Sequence, residues 1–403
     1  MARRWSNASV FLNSELPWSV VGAWMSSYLT LYLIACHLTP RQIGWALALS
    51  GVVQVAIYPS MGWIANRLGR KNVIQLGDFL GWVVAFVLWT ARPGAVMVGI
   101  AYVMNQVSGV ITPAWNSLFS EDQTPQATST GYMRLQILTI LGGIAVPILA
   151  PWIGHVGIRR SGRVILLLAL PVLLGAWLFR QCFLHESSVG ESQRSAHRAG
   201  ARIPWRTRVQ LGLSGQGDTL ALLRILAQVG FSLFATFAPV TFVLRRGLDI
   251  SVGTLAFLPL ATSLFGLVLW HQHARIAKLP PRTTLGLAIL TFMVGFALLA
   301  VTPRAELWTL LVAWGLIVSG QGLYWSSHTT YWMTWIPDAA RVDIQAVVGG
   351  ASALLVTILA PTLSPGIVQS PHLLYWSMLA LGLVLAGIWS RLPHAANESS
   401  HPG

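Results

Sequence analysis

Gln321, Tyr324, Trp325 and His328 stand at i, i+3, i+4 and i+7, so a single helix would carry all four on one face. Two aromatic rings, a carboxamide and an imidazole suit a partly polar organic ligand: the rings cover its apolar part and the polar groups orient it. The same four side chains could instead pack and hydrogen-bond between neighbouring helices. The sequence leaves both readings open. Trp24, Ser27 and Tyr28, then Asn105 and Gln106, then Gln228, are further candidates of this kind. Bond-breaking chemistry finds no support. The chain has no Ser/His/Asp set and no phosphate-binding loop, and His271 and His273 have no further metal ligand nearby. It is expected to bind rather than catalyse, with no cofactor and no metal.

The elements that must position these residues are apolar. Hydrophobic residues make up 54% of the 403 and charged residues 9%, too little charge to coat a soluble core of this length. The apolar residues fall into runs long enough to cross a bilayer, which takes about 20 residues of helix. Twelve are read, numbered here as spans 1 to 12: 13–36, 42–65, 73–91, 94–119, 131–154, 163–184, 219–244, 252–272, 283–302, 307–333, 344–364 and 372–391. Backbone groups in lipid must be satisfied internally, and the runs lack the alternation of a barrel strand. An all-α membrane protein of twelve transmembrane helices is predicted.

The net charge of +14 could suggest nucleic acid, but its distribution is topological. With twelve spans, 17 of the 26 cations lie on the side of the termini and 8 on the other. That excess places both termini in the cytoplasm, in a multi-pass protein of the cell (inner) membrane. The longest polar interval falls near the middle and divides the chain into 1–184, a central loop 185–218 and 219–403. Arg194, Arg198, Arg202 and Arg206 recur every four residues there. They would form one helical stripe lying on anionic lipid, or else a solvated linker. Ile148-Leu-Ala-Pro151 recurs as Ile358-Leu-Ala-Pro361, and the same offset carries Trp115 onto Trp325 and Ser117 onto Ser327. A parallel duplication of six spans is the natural reading.

Between spans 2 and 3 the chain reads Gly62-Trp-Ile-Ala-Asn66-Arg67-Leu-Gly69-Arg70-Lys71, preceded by Leu38-Thr-Pro-Arg-Gln-Ile-Gly44. In this position the pattern resembles the signature of the major facilitator superfamily. The resemblance implies two pseudo-symmetric six-helix bundles, transport of a small organic solute by alternating access, and a monomer. A membrane sensor that kept the fold but not transport is the alternative. The resemblance also implies that Gly62, residue 66, Arg67, Gly69, Arg70 and Lys71 form a cytoplasmic gate facing the start of span 11. Asn66 stands where the family usually has an acid, and Asp343 is expected to replace it in part by pairing with Arg67 or Arg70. On this reading Asn66→Asp should tighten the gate.

None of the 12 acidic residues lies at the centre of a span. Glu15 and Asp78 come nearest, within about two turns of a span end, and with His328 they are the candidates for proton coupling. Transport that equilibrates its solute is therefore expected. Arg134 and Arg224, near the inner ends of spans 5 and 7, could meet an anionic group. Pairing with Glu121 or Asp122, or snorkelling to the interface, would serve them equally.

Overall fold

The computed structural model describes residues 5–91, 94–121, 123–198, 204–243, 247–250, 257–276, 278–302, 307–337 and 340–392. These residues form helices joined by short turns, with no strand among them. Nine of the described helices are long and apolar enough to cross a bilayer, or ten if the bent first helix, Asn7–Ala35, counts as one span. The run read as span 5 falls on two helices, Pro125–Gly142 and Ala145–Val156, and that read as span 8 on Phe257–Ile276, whose apolar part is Phe257–Leu269.

Local chemistry sets the helix ends. Thr39 caps the helix Pro40–Ile57 in a reciprocal capping box with Gln42, and Pro40 opens the first turn, where its missing N–H costs nothing. Spans 2 and 3 are joined by one residue. Gly69, at φ 91° and ψ 147°, ends Met61–Leu68 and starts Arg70–Asp78, a left-handed backbone that glycine adopts without a Cβ penalty. Span 3 then widens into a π-helical turn over Phe79–Val84.

The chain packs as two compact units. One comprises Met1–Thr124, Leu138–Leu211 and Pro337–Thr357; the other comprises Pro125–Ile137, Gly212–Ile336 and Ile358–Gly403. The start of span 11 thus belongs by its contacts to the first unit. Lipid tails are as apolar as leucine, so each unit is held by close packing and interhelical hydrogen bonds more than by expulsion of water. In the first unit Trp24, Tyr28, Tyr32, Trp82, Phe86 and Trp89 form a buried aromatic core, tied by Tyr32 donating to the carbonyl of Trp89 at 3.1 Å. In the second, Phe231 packs edge-on against Phe292 at 5.3 Å, and Tyr375 donates to Thr241 at 3.0 Å.

Candidate functional site

The face predicted on span 10 exists, but its members divide. The helix Leu307–Trp335 buries Tyr324 and His328 completely. The Tyr324 hydroxyl donates to the Leu223 carbonyl at 2.8 Å, and His328 Nε2 lies 2.8 Å from the Leu220 carbonyl. A carbonyl only accepts, so Nε2 carries the imidazole proton. These two side chains clip span 10 to span 7: the Tyr324 hydroxyl and His328 Nε2 are occupied by backbone, and His328 Nδ1 is left without a hydrogen-bond partner among the described residues. Gln321 and Trp325 remain half-buried. Arg224 from span 7 lies with its guanidinium 4.2 Å from the Trp325 ring centre. Its Nη1 donates to Thr329 Oγ1 at 3.2 Å. Gln228, one turn further along, bonds Ser232 at 3.2 Å. Arg134 is exposed.

In the first unit Trp24 and Tyr28 lie in the aromatic core; the side chain of Ser27 falls outside the described residues. Asn105 donates to the Gly81 carbonyl at 3.1 Å, satisfying a backbone group in the π-turn. Gln106 bonds to Gln54 on span 2, and one turn on from Gln54 the Tyr58 hydroxyl donates to the Gly109 carbonyl at 3.1 Å. Neither Gln54 nor Tyr58 stood out in the sequence. A carboxamide in the middle of an apolar run was the available signal.

The span 2–3 turn is built as a junction. Arg70, fully buried, pairs with Glu121 and donates to Ser187 and Gln193, each at 3.1 Å. Lys71 donates from Nζ to the Gln181 carbonyl at 3.1 Å and from its backbone N–H to Glu186 at 3.3 Å. Glycine at 69 supplies no side-chain cap, so Glu186 caps span 3 from across the chain. Burial raises its carboxyl above the usual range, against the lowering effects of the Lys71 N–H and the Arg70 charge. Arg67 turns outward over the Trp63 ring, 5.1 Å from its centre. Asn66 is buried.

Asp343 feels the charge of Arg70. It forms an ion pair with Arg208, 2.9 Å, from the helix Trp205–Leu213, and its carboxylate lies against Gly62, where a Cβ would overlap it. Arg70 is already engaged by Glu121, and Arg67 faces the other way. Of the four arginines that recur in the central loop, Arg194 and Arg198 lie on Ser188–Arg198, Arg206 lies on Trp205–Leu213, and Arg202 falls outside the described residues.

This geometry reverses the sign expected for Asn66→Asp. Residue 66 is one turn from Gly62, where side chains sit about 5–6 Å apart, so a new carboxylate there would face that of Asp343. Two such charges repel by roughly 2–3 kcal/mol at an effective dielectric of about 20, and Arg208 and Arg70 offset only a part. Ala346, buried at the start of span 11, gives the readout. Thiol labelling of Ala346→Cys, with Cys36 and Cys182 replaced by serine, should rise several-fold in Asn66→Asp. A fall in labelling would restore the sequence-based expectation.

The coupling candidates meet one another. Arg180, fully buried on span 6, donates from Nη1 to Asp78 at 2.6 Å, from Nε to Ser14 at 2.7 Å, and from Nη2 to Glu15. Its guanidinium lies over the rings of Trp82, 4.4 Å from the ring centre, and Phe11, 5.0 Å. One guanidinium therefore ties spans 1, 3 and 6. In the sequence Arg180 stood only as one more charge on the terminal side.

No curated protein matches the chain. Among solved structures it is similar to a bacterial homologue of the iron transporter ferroportin, at 14% identity and TM-score 0.67, covering 96% of this chain and 99% of that one. It is similar also to the proton:xylose symporter XylE of E. coli, at 15% identity and TM-score 0.68, covering 96% and 95%. A third is the human organic anion transporter MFSD10 (TETRAN), at 15% identity and TM-score 0.62, covering 95% of each chain. At such identities these likenesses establish the fold. The family is established by the sequence itself, since the model described as Major Facilitator Superfamily matches residues 6–278. The chain is a multi-pass membrane protein that belongs to the major facilitator superfamily, a family of secondary transporters.

Proposed function

We propose that the protein moves a small organic solute by alternating access, with Trp325, Gln321, Gln228 and Arg224 among its substrate contacts. The half-buried stack of Arg224 on Trp325 carries this reading. An aromatic face beside a guanidinium suits a solute with an apolar ring or chain and an anionic or hydrogen-bond-accepting group. Asn105, Gln106, Trp24 and Tyr28 are the candidate contacts offered by the first unit. Tyr324 and His328 support the site by fixing span 10 to span 7. Cation asymmetry supports a cell-membrane location with both termini in the cytoplasm. Arg194, Arg198 and Arg206 are suited to anionic lipid at that surface. The protein is proposed to work as a single chain, without nucleic acid.

A thermal-shift screen of organic anions, sugars and amphiphilic drugs on the detergent-solubilised protein tests this. A ligand at a hundredfold its Kd stabilises by about 2.7 kcal/mol. Trp325→Ala should weaken binding of any hit about tenfold, or ~1.4 kcal/mol, while the unliganded melting temperature stays near the parent's. Equal ligand shifts in Trp325→Ala, Arg224→Gln and the parent would remove this face from the site.

A further inference from the structure

Span 9, the helix Pro281–Val301, and span 12, the helix His372–Trp389, both belong to the second unit and end side by side at Arg282 and Trp389. Gly286 makes the approach possible. A Cβ there would lie 2.5 Å from the Trp389 ring, so the indole sits across the glycine, one turn into span 9. Its Nε1 donates to the Arg282 carbonyl at 2.9 Å, and the Arg282 guanidinium lies 5.3 Å from the centre of the same ring. The cation held in this way is short of acceptors. Nη2 reaches the Ser390 carbonyl at a long 3.3 Å, and Nε and Nη1 have no hydrogen-bond partner among the described residues. Lys278, shortly before Arg282 in the chain, and Arg391, next to Ser390, are both exposed. None of the three cations forms an ion pair among the described residues. Directly beyond them both helices turn apolar side chains outward, Leu287, Leu290 and Val294 on span 9 and Leu383 and Val384 on span 12. In a bilayer those faces meet acyl chains, so the cations stand where the headgroups begin, and the half-buried Trp389 sits at the level that tryptophan favours.

We propose that Arg282, Lys278 and Arg391 bind the phosphate of one anionic phospholipid, whose acyl chains run down the apolar faces of spans 9 and 12. A buried N–H without an acceptor is costly, and a guanidinium gains most from an anion that offers two oxygens to its fork. Phosphate is such an anion, and Ser390, with a single carbonyl at 3.3 Å, is a poor substitute. Basic pockets between transmembrane helices suit anionic headgroups for this reason. A phosphate tethered to hydrocarbon uses the cations and the apolar faces together, whereas a soluble anion would use the cations alone. The site is separate from Arg194, Arg198 and Arg206, which belong to the first unit. It is separate also from the face around Trp325, so it does not depend on which solute is moved.

The test needs no transported solute. The full chain in detergent is titrated with phosphatidylglycerol or phosphatidylcholine, and bound lipid is counted by native mass spectrometry. One phosphatidylglycerol should bind the parent several-fold more tightly than phosphatidylcholine, which carries the same phosphate without net charge. Arg282→Gln and Arg391→Gln should each weaken phosphatidylglycerol about fivefold, the effect of one cation near a membrane surface, and leave phosphatidylcholine unchanged. Arg160→Gln makes the same charge change at an exposed position of the helix Ile158–Phe183, in the other unit, and should bind like the parent. Inorganic phosphate at the lipid's concentration should not displace it. Arg391 is exposed, so its variant reads the site even if Arg282→Gln does not fold. The proposal is overturned if the parent binds both lipids alike, or if the folded variants hold phosphatidylglycerol as the parent does. Displacement by inorganic phosphate would equally overturn it, marking a site for a free anion.

Discussion

Arg180→Leu should abolish most of the stable, monodisperse protein recovered in detergent. The substitution removes the cation that pairs with both Glu15 and Asp78 and leaves the Ser14 hydroxyl without its donor. Breaking a buried ion pair by deleting one partner costs about 3–5 kcal/mol, because the remaining charge stays buried. That is a large share of the roughly 5–15 kcal/mol that holds an ordinary fold. The measurement is melting temperature and monodisperse yield by fluorescence-detected chromatography. The same substitution combined with Glu15→Gln and Asp78→Asn should recover most of both, since the orphaned charges are then absent. Lysine at 180 should fall between, as it cannot bridge both acids and Ser14 with a planar fork. A parent-like Arg180→Leu would mean that both acids are solvated and that the cluster holds nothing together.

Gly62→Ala should act on the start of span 11. A Cβ at this position would overlap the Asp343 carboxylate and lie 3.3 Å from its Cα. The carboxylate cannot simply swing aside, because Arg208 pairs with it at 2.9 Å. Overpacking of this kind typically costs about 1–3 kcal/mol. The expected result is displacement of residues 341–346 from span 2, seen as faster labelling of Ala346→Cys. Asp343→Gly vacates the space, so the double variant should label no faster than Asp343→Gly alone. If Gly62→Ala adds its full effect in that background, the two residues are not in contact and this seam is not held as described.

Span positions were legible in the sequence because a soluble core rarely contains hydrocarbon runs of bilayer length. The turn at Gly69 was legible because a short polar interval holding a glycine and three cations separates two apolar runs. The arginine partners were not. Arg180 lies 165 residues from Glu15 and 102 from Asp78, and no local period connects them, so two acids looked isolated and one arginine looked merely topogenic. Asp343 was placed correctly at a helix start, but its partner came from the central loop, whose fold leaves no hydrophobic pattern to follow. On span 10 periodicity identified a shared face for Gln321, Tyr324, Trp325 and His328. It could not say that the carbonyls of Leu220 and Leu223 would claim two of the four.

The cap that Glu186 places on span 3 has a consequence for how the protein is made. Span 3 begins at Arg70, but the carboxylate that accepts its Lys71 N–H is synthesised 115 residues later. Ser187 and Gln193, which complete the shell of Arg70, follow it. At elongation rates of roughly 5–20 residues per second, the early spans wait about 6–23 s with this helix end open. Closure of the junction between spans 2 and 3 is therefore gated by emergence of the segment after span 6. A split version of the transporter should reassemble from fragments cut after Arg198, but not from fragments cut at Phe183.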